Sequence, residues 1–92
     1  MFPERKLPRP FQLPWGKGQI TEEVSVIHDH WAPTIQLLEY EDGQVGVRFC
    51  NYSPQGRFQR QASIWTEEDF GAFGRELSQT PKLKELLGRM VS

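Results

Sequence analysis

Two turn signals, Glu41-Asp42-Gly43 and Ser53-Pro54-Gln55-Gly56, stand on either side of the segment QVGVRFCNY at 44–52. They constrain the fold more than any other feature of the chain. Gly43 is free to take the positive φ of a hairpin turn. Pro54 presets the second position of the other turn, and Gly56 suits its last. The apolar, β-branched and aromatic runs around them, TIQLLEY at 34–40 and RFQRQASIW at 57–65, then run up and down beside 44–52 as an antiparallel meander. ITEEVSVIHDHW at 20–31 carries Val24, Val26 and Ile27 and predicts a further strand. A helix from Thr21 competes with it, because Glu22 and Glu23 suit a first helical turn.

Helix signals follow the meander. Thr66 offers an N-cap hydroxyl before Glu67, Glu68 and Asp69, whose charges favour the positive end of a helix. Phe70, Phe73 and Leu77 recur at helical spacing, and Thr80-Pro81 marks a second start with Leu83, Leu86, Leu87 and Met90 as its apolar stripe. The fold class expected is α+β: a three- to four-stranded antiparallel meander followed by a C-terminal helix or two short helices. Residues 1–19 form a separate arm, with four prolines and a basic excess of Arg5, Lys6, Arg9 and Lys17 over Glu4. Regular structure is not expected there, because proline removes amide donors and constrains its neighbours. Phe11 and Trp15 suit an arm that lies on the body of the domain or engages a partner protein. Residues 20–92 then make one domain.

Side chains alternate across a strand. With Tyr52 and Arg57 flanking the second turn, one face carries Val45, Val47, Phe49, Phe58, Ala62 and Ile64, and is expected to be the core. Arg60 falls awkwardly on it, opposite Phe49. The other face carries Arg48, Cys50, Tyr52, Arg57, Gln59, Gln61, Ser63 and Trp65. Lysine, glutamate and aspartate are absent from 45–64. Such a face is either a plain wet sheet surface or a binding surface of guanidinium forks, amides and rings. It suits a single-stranded nucleic acid, with arginines on phosphates and bases on rings, and equally a protein interface, where Tyr, Trp and Arg are enriched.

The formal net charge is −1, which excludes strong non-specific attraction of the whole molecule to nucleic acid, so a local basic patch would have to carry it. The single cysteine, Cys50, excludes an internal disulfide and a thiolate metal cluster, and suits a reducing compartment. No apolar h-region and no run approaching ~18 apolar residues is present, so a soluble, cytoplasmic protein is expected. His28 and His30 would point to one side of a strand, as two imidazole ligands must, but no third ligand is placed. Neither a metal nor a cofactor is expected. Cys50 lacks a base, and Glu67, Glu68 and Asp69 read as a helix N-terminus. The chain is therefore not expected to be an enzyme.

Residues 34–77 resemble the single-stranded-DNA-binding transcriptional coactivator family, whose relatives include the Whirly proteins. Val45-Gly46-Val47-Arg48 stands for a V-x-I-R strand, Tyr52 and Gly56 for the following aromatic and turn, and Ala62-Ser63-Ile64-Trp65-Thr66 with Phe70 for the helix entry. The resemblance implies a curved antiparallel sheet, a C-terminal helix that mediates dimerisation, and nucleic acid lying along the sheet. The family's strands are rich in lysine, whereas this chain has none between Lys17 and Lys82.

The expectation is thus a binder of single-stranded DNA or RNA using Arg48, Tyr52, Arg57, Gln59, Gln61 and Trp65. The alternative is a non-catalytic protein-interaction module. A homodimer is expected, because Ile35 and Leu37 face one way, Leu38 emerges beside Gly46 on the other, and the terminal helix adds a further stripe. The competing arrangement folds the arm back over Leu38 and Trp65. That would remove surface from both a dimer and a bound strand.

Overall fold

The computed structural model describes residues 6–59 and 61–92. A five-stranded antiparallel sheet runs in sequential order: β1 (Arg9–Leu13), β2 (Gly16–Ser25), β3 (Ala32–Tyr40), β4 (Val45–Tyr52) and β5 (Ser63–Thr66). Helix α1 (Glu67–Glu76), a 3-10 turn (Leu77–Gln79) and helix α2 (Pro81–Met90) follow. The α+β meander with two short helices is as the turn and cap signals imply. Thr66 and Asp69 make a reciprocal capping box on α1, and Pro81 opens α2. Among the described residues no helix is long and apolar enough to cross a membrane.

The proline-rich arm does not remain irregular. Its residues 9–13 form β1, which pairs with β2 through a tight turn at Pro14-Trp15. The prolines fit because of where they fall. Pro10 lies on an edge strand, where a missing amide donor need not break the ladder, and Pro14 occupies the turn. Residues 1–5 of the expected arm lie outside the described residues. β2 begins at Gly16 and stops at Ser25, so His28 and His30 sit in the β2–β3 turn and not on a strand.

The β3–β4 register is the one the three-residue turn at Gly43 demands. Gly43 takes φ 91°, Leu37 pairs with Val47, and Leu38 with Gly46. The buried face, however, is the opposite of the one expected. Phe11, Ile20, Ala32, Thr34, Gln36, Leu38, Arg48, Cys50 and Tyr52 are buried, and Leu38 is 0% exposed. Val45, Val47 and Phe49 are only partly covered. The reason is curvature. A Cβ on Gly18 would collide with the Glu39 carbonyl oxygen, so β2 and β3 approach closely only because that position is glycine. Thr21 is skipped in the β2–β3 ladder, and such a bulge bends its strand. The sheet curls, β1 folds over the inner face, and Phe11 closes on Ile20 and Leu38 with Leu13, Tyr40 and Ile64 around them.

The β4–β5 register is also shifted. Tyr52 bridges Phe58, leaving five residues in the turn where four were expected. Two further residues enter between that bridge and the Phe49–Ser63 pair, so the ladder is displaced by three residues in all, an odd number that turns the side chains of β5 to the other face. Ile64 therefore pairs with Arg48 on the inner side, and Trp65 pairs with Val47 on the outer side. Arg60 lies outside the described residues. On the outer side, Trp65 stacks on Phe73 at 4.3 Å and lies 5.2 Å from Phe70, so α1 is held by an aromatic cluster against Phe49.

The core assignment predicts an order of stabilities. Leu38→Ala should cost about 2–5 kcal/mol, a large part of the ~5–15 kcal/mol typical of a domain. Phe73→Ala, at a half-exposed position, should cost clearly less. Urea unfolding at sub-micromolar protein measures both, and the reverse order would show that the core lies under α1.

Candidate nucleic-acid interface

A chain of polar side chains crosses the inner face from strand to strand. Arg9 on β1 makes two hydrogen bonds to Glu23 on β2, Nη1 to Oε1 at 3.2 Å and Nη2 to Oε2 at 2.6 Å. Gln36 on β3 donates from Nε2 to Glu23 Oε2 at 2.7 Å and to the Tyr52 hydroxyl at 2.8 Å. Its carbonyl oxygen accepts from Arg48 Nε at 2.7 Å. Arg9 Nη2 also reaches the Tyr52 hydroxyl at 3.3 Å. Burial alone would lower the pKa of Arg9, but the hydrogen bonds to Glu23 and Tyr52 outweigh it and hold the guanidinium above its ordinary value. This network fixes Arg48 and Tyr52, which are 8% and 5% exposed.

Arg48 emerges from the network toward one end of the sheet. Its guanidinium lies over the ring of Phe58, 4.6 Å from the centroid. Phe58 in turn meets Tyr52 edge-on at 5.6 Å. Beyond Phe58 lies an open cleft of about 1080 Å³ between the β2–β3 turn and the segment after β4. Trp31 and Phe58 are its exposed rings, at 52% and 42%. Arg57, Gln59, Gln61, Gln55, Asn51 and His30 supply its cation, amides and imidazole. No Asp or Glu lines it among the described residues. The Ser53 amide donates to the Arg57 carbonyl, and Ser53 Oγ accepts from the Arg57 amide at 3.1 Å. Gln59 is tied by its amide to the Asn51 carbonyl at 2.9 Å. The loop bearing the cation and amides is thereby anchored to the end of β4.

The six residues singled out in the sequence therefore part company. Arg57, Gln59 and Gln61 line the cleft, and Tyr52 forms part of its wall. Arg48 backs it through Phe58. Trp65 is on the outer face, its indole N–H donating to Ser63 Oγ at 2.9 Å. A strand laid along the whole Arg48–Trp65 face is thus not what this geometry offers, because the network and β1 fill that face and Trp65 does not belong to it. Trp31, Phe58, Asn51 and His30 are lining residues that the sequence reading did not place. Phe58 was assigned to the core by the one-residue slip in register. Trp31 had a visible signal, a large ring immediately before Ala32-Pro33 where a strand cannot simply continue inward.

His28 leans against Trp31 with ring centroids 5.3 Å apart, and His30 lines the cleft. Among the described residues no group of three or more His, Cys, Asp and Glu side chains is placed to hold a metal. Cys50 is buried.

No family model, curated protein or solved structure matches this chain.

The network yields a test of its own. Glu23 is its carboxylate, so Glu23→Gln leaves the guanidinium of Arg9 facing Tyr52 and Gln36 without a counter-charge. A loss of about 3 kcal/mol in unfolding free energy is expected. Glu85→Gln, which removes the fully exposed pair to Arg89, serves as the control and should leave the urea midpoint nearly unchanged.

Proposed function

We propose that the protein binds single-stranded nucleic acid, and that it takes a short stretch of the strand in the cleft at the end of the sheet. The observation that carries this reading is the lining itself: two half-exposed rings, a cation and several amides, with no carboxylate among the described residues. Bases stack on aromatic side chains at ~1–3 kcal/mol each, with little regard to sequence. Arg57 suits a phosphate, and the amides of Gln59 and Gln61 suit base edges or sugar hydroxyls.

Charge beneath the cleft supports the same reading. In the described network Arg9 and Arg48 bring two positive charges against the one negative charge of Glu23. The surplus resides on Arg48, directly behind Phe58. In a low-dielectric interior such a charge is felt across a ring, and it favours an anion in the cleft. A transcription-related role in the cytoplasm is the setting that the resemblance to the coactivator family and the single cysteine suggest. The alternative, a protein-interaction module, draws its support from the outer face of the sheet. Neither reading assigns a catalytic step.

The test is a titration of labelled single-stranded oligonucleotides at two salt concentrations. Affinity should fall steeply with salt, as counterion release requires. Trp31→Ala and Phe58→Ala should each weaken binding by about 1–3 kcal/mol, and Arg57→Ala should lower the salt slope by ~1. Trp65→Ala, on the opposite face, should leave affinity unchanged. Absence of binding at low salt would overturn the proposal.

A further inference from the structure

The outer face of the sheet is apolar and incompletely covered. Ile35, Leu37, Val47 and Phe49 are partly buried there, and Val24 is largely bare. Neither helix closes over them. α1 and α2 each contain no buried residue. Leu83, Leu86, Leu87 and Met90, one stripe at helical spacing, are 37–61% exposed. Only Leu87 and Met90 approach the sheet, leaving a groove of about 460 Å³ against Val24, Ile35 and Phe49. An amphipathic helix held this loosely has too little packing to account for its own order.

The surface area points the same way. A folded monomer of this mass should expose about 5,500 Å², whereas this chain exposes 7316 Å². The six undescribed residues, at roughly 250 Å² each, the area of a large bare aromatic, would not account for the whole surplus. A standard interface needs roughly 800 Å² from each partner.

Charge identifies the occupant. α1 carries Glu67, Glu68, Asp69 and Glu76 against Arg75, a net −3. α2 carries Lys82, Lys84 and Arg89 against Glu85, a net +2. The two halves of a complementary contact therefore lie on the same chain. A two-fold axis that sets α1 of one copy beside α2 of the other satisfies both charges twice over and buries both apolar stripes. Pairing α1 with α1 and α2 with α2 would oppose like charges. We infer that the outer sheet face and the two helices form the interface of a homodimer in which α1 of each copy packs against α2 of its partner. This does not depend on the nucleic-acid reading, whose cleft lies at the end of the sheet and is lined by none of these helical residues.

Sedimentation velocity on the full chain, from sub-micromolar to about 100 µM, should show a monomer–dimer equilibrium. Leu86→Glu should abolish it while leaving the far-ultraviolet spectrum of the monomer unchanged, because Leu86 is exposed within one chain. Two charge-reversed variants test the crossed arrangement. Glu67→Lys/Glu68→Lys and Lys82→Glu/Lys84→Glu should each weaken self-association by roughly tenfold or more. A single chain carrying all four substitutions should recover it, since α1 and α2 have then exchanged signs. A wild-type chain that stays monomeric at the highest concentration would overturn the homodimer and leave the face to another protein. Dimers indifferent to either charge reversal, or not rescued by the fourfold variant, would overturn the crossed arrangement.

Discussion

The ion pair between Arg9 and Glu23 is the interaction on which the remaining structure depends. It ties the edge strand β1 to β2, the same guanidinium reaches the Tyr52 hydroxyl on β4 across the concavity, and Phe11 of β1 packs on Ile20 and Leu38. A single curved layer of five strands has no second sheet to cover it. Curling its first strand over its own inner face is how this chain makes a core. The pair is not isolated. Gln36 uses both amide protons, on Glu23 and Tyr52, and its oxygen accepts from Arg48. Strands β1, β2 and β3 thus contribute one group each to a connected network, and β4 contributes two, Arg48 and Tyr52. A buried polar network is tolerable when its members are satisfied, and then it discriminates between registers, because a slip of one residue would strand every group in it. The apolar cluster supplies most of the driving force, and the polar network selects the arrangement in which it is expressed.

The sequence made part of this legible, and the reasons for the remainder are specific. Turns and caps are local chemistry, so Gly43, the Thr66 N-cap and Pro81 could be read directly, and the β3–β4 pairing followed from the turn. Which face is buried is not local. Val45, Val47 and Phe49 outscore Arg48 and Cys50 on any hydropathy scale, yet the inner face is decided by Gly18, the skipped Thr21 and the return of β1. Arg48 could be buried because Gln36 stands across the ladder from it, a pairing that becomes visible only once the register is fixed. The displacement between β4 and β5 had two parts, one residue more in the turn than Ser53-Pro54-Gln55-Gly56 alone suggests and two more between Phe58 and Ser63. The first moved Phe58 into the candidate site, and the odd total put Trp65 on the outer face.

The candidate cleft lies at one end of this curled sheet. On the inner face Phe11 of β1 packs on Ile20 and Leu38, and Arg9 reaches Tyr52. Near the Arg9 end of β1, Tyr52, Phe58 and described residues of the segment after β4 line the cleft. Arg48 links the two regions. Its Nε belongs to the core network, and its guanidinium plane is presented to the ring that floors the cleft. The guanidinium can serve both only because Phe58 lies between it and water, so that the charge is shielded from solvent while its field extends into the cleft.

Burial of Arg48 also separates the molecule into two surfaces of different character. The network takes up the polar side chains of the central strands on the inner side. Alternation then leaves the outer side of the same strands to Ile35, Leu37, Val47 and Phe49. In a sheet with an apolar inner face the outer face would be the polar one, and water would cover it. Here the polarity is inverted on the central strands, and the outer face must find an apolar cover. The chain provides helices for this, but α1 and α2 bury no residue of their own within one copy. An inward arginine on β4 thus creates the demand that a second copy would meet. It is also the charge that the proposed nucleic-acid reading invokes behind Phe58, so both proposals trace back to the placement of one side chain.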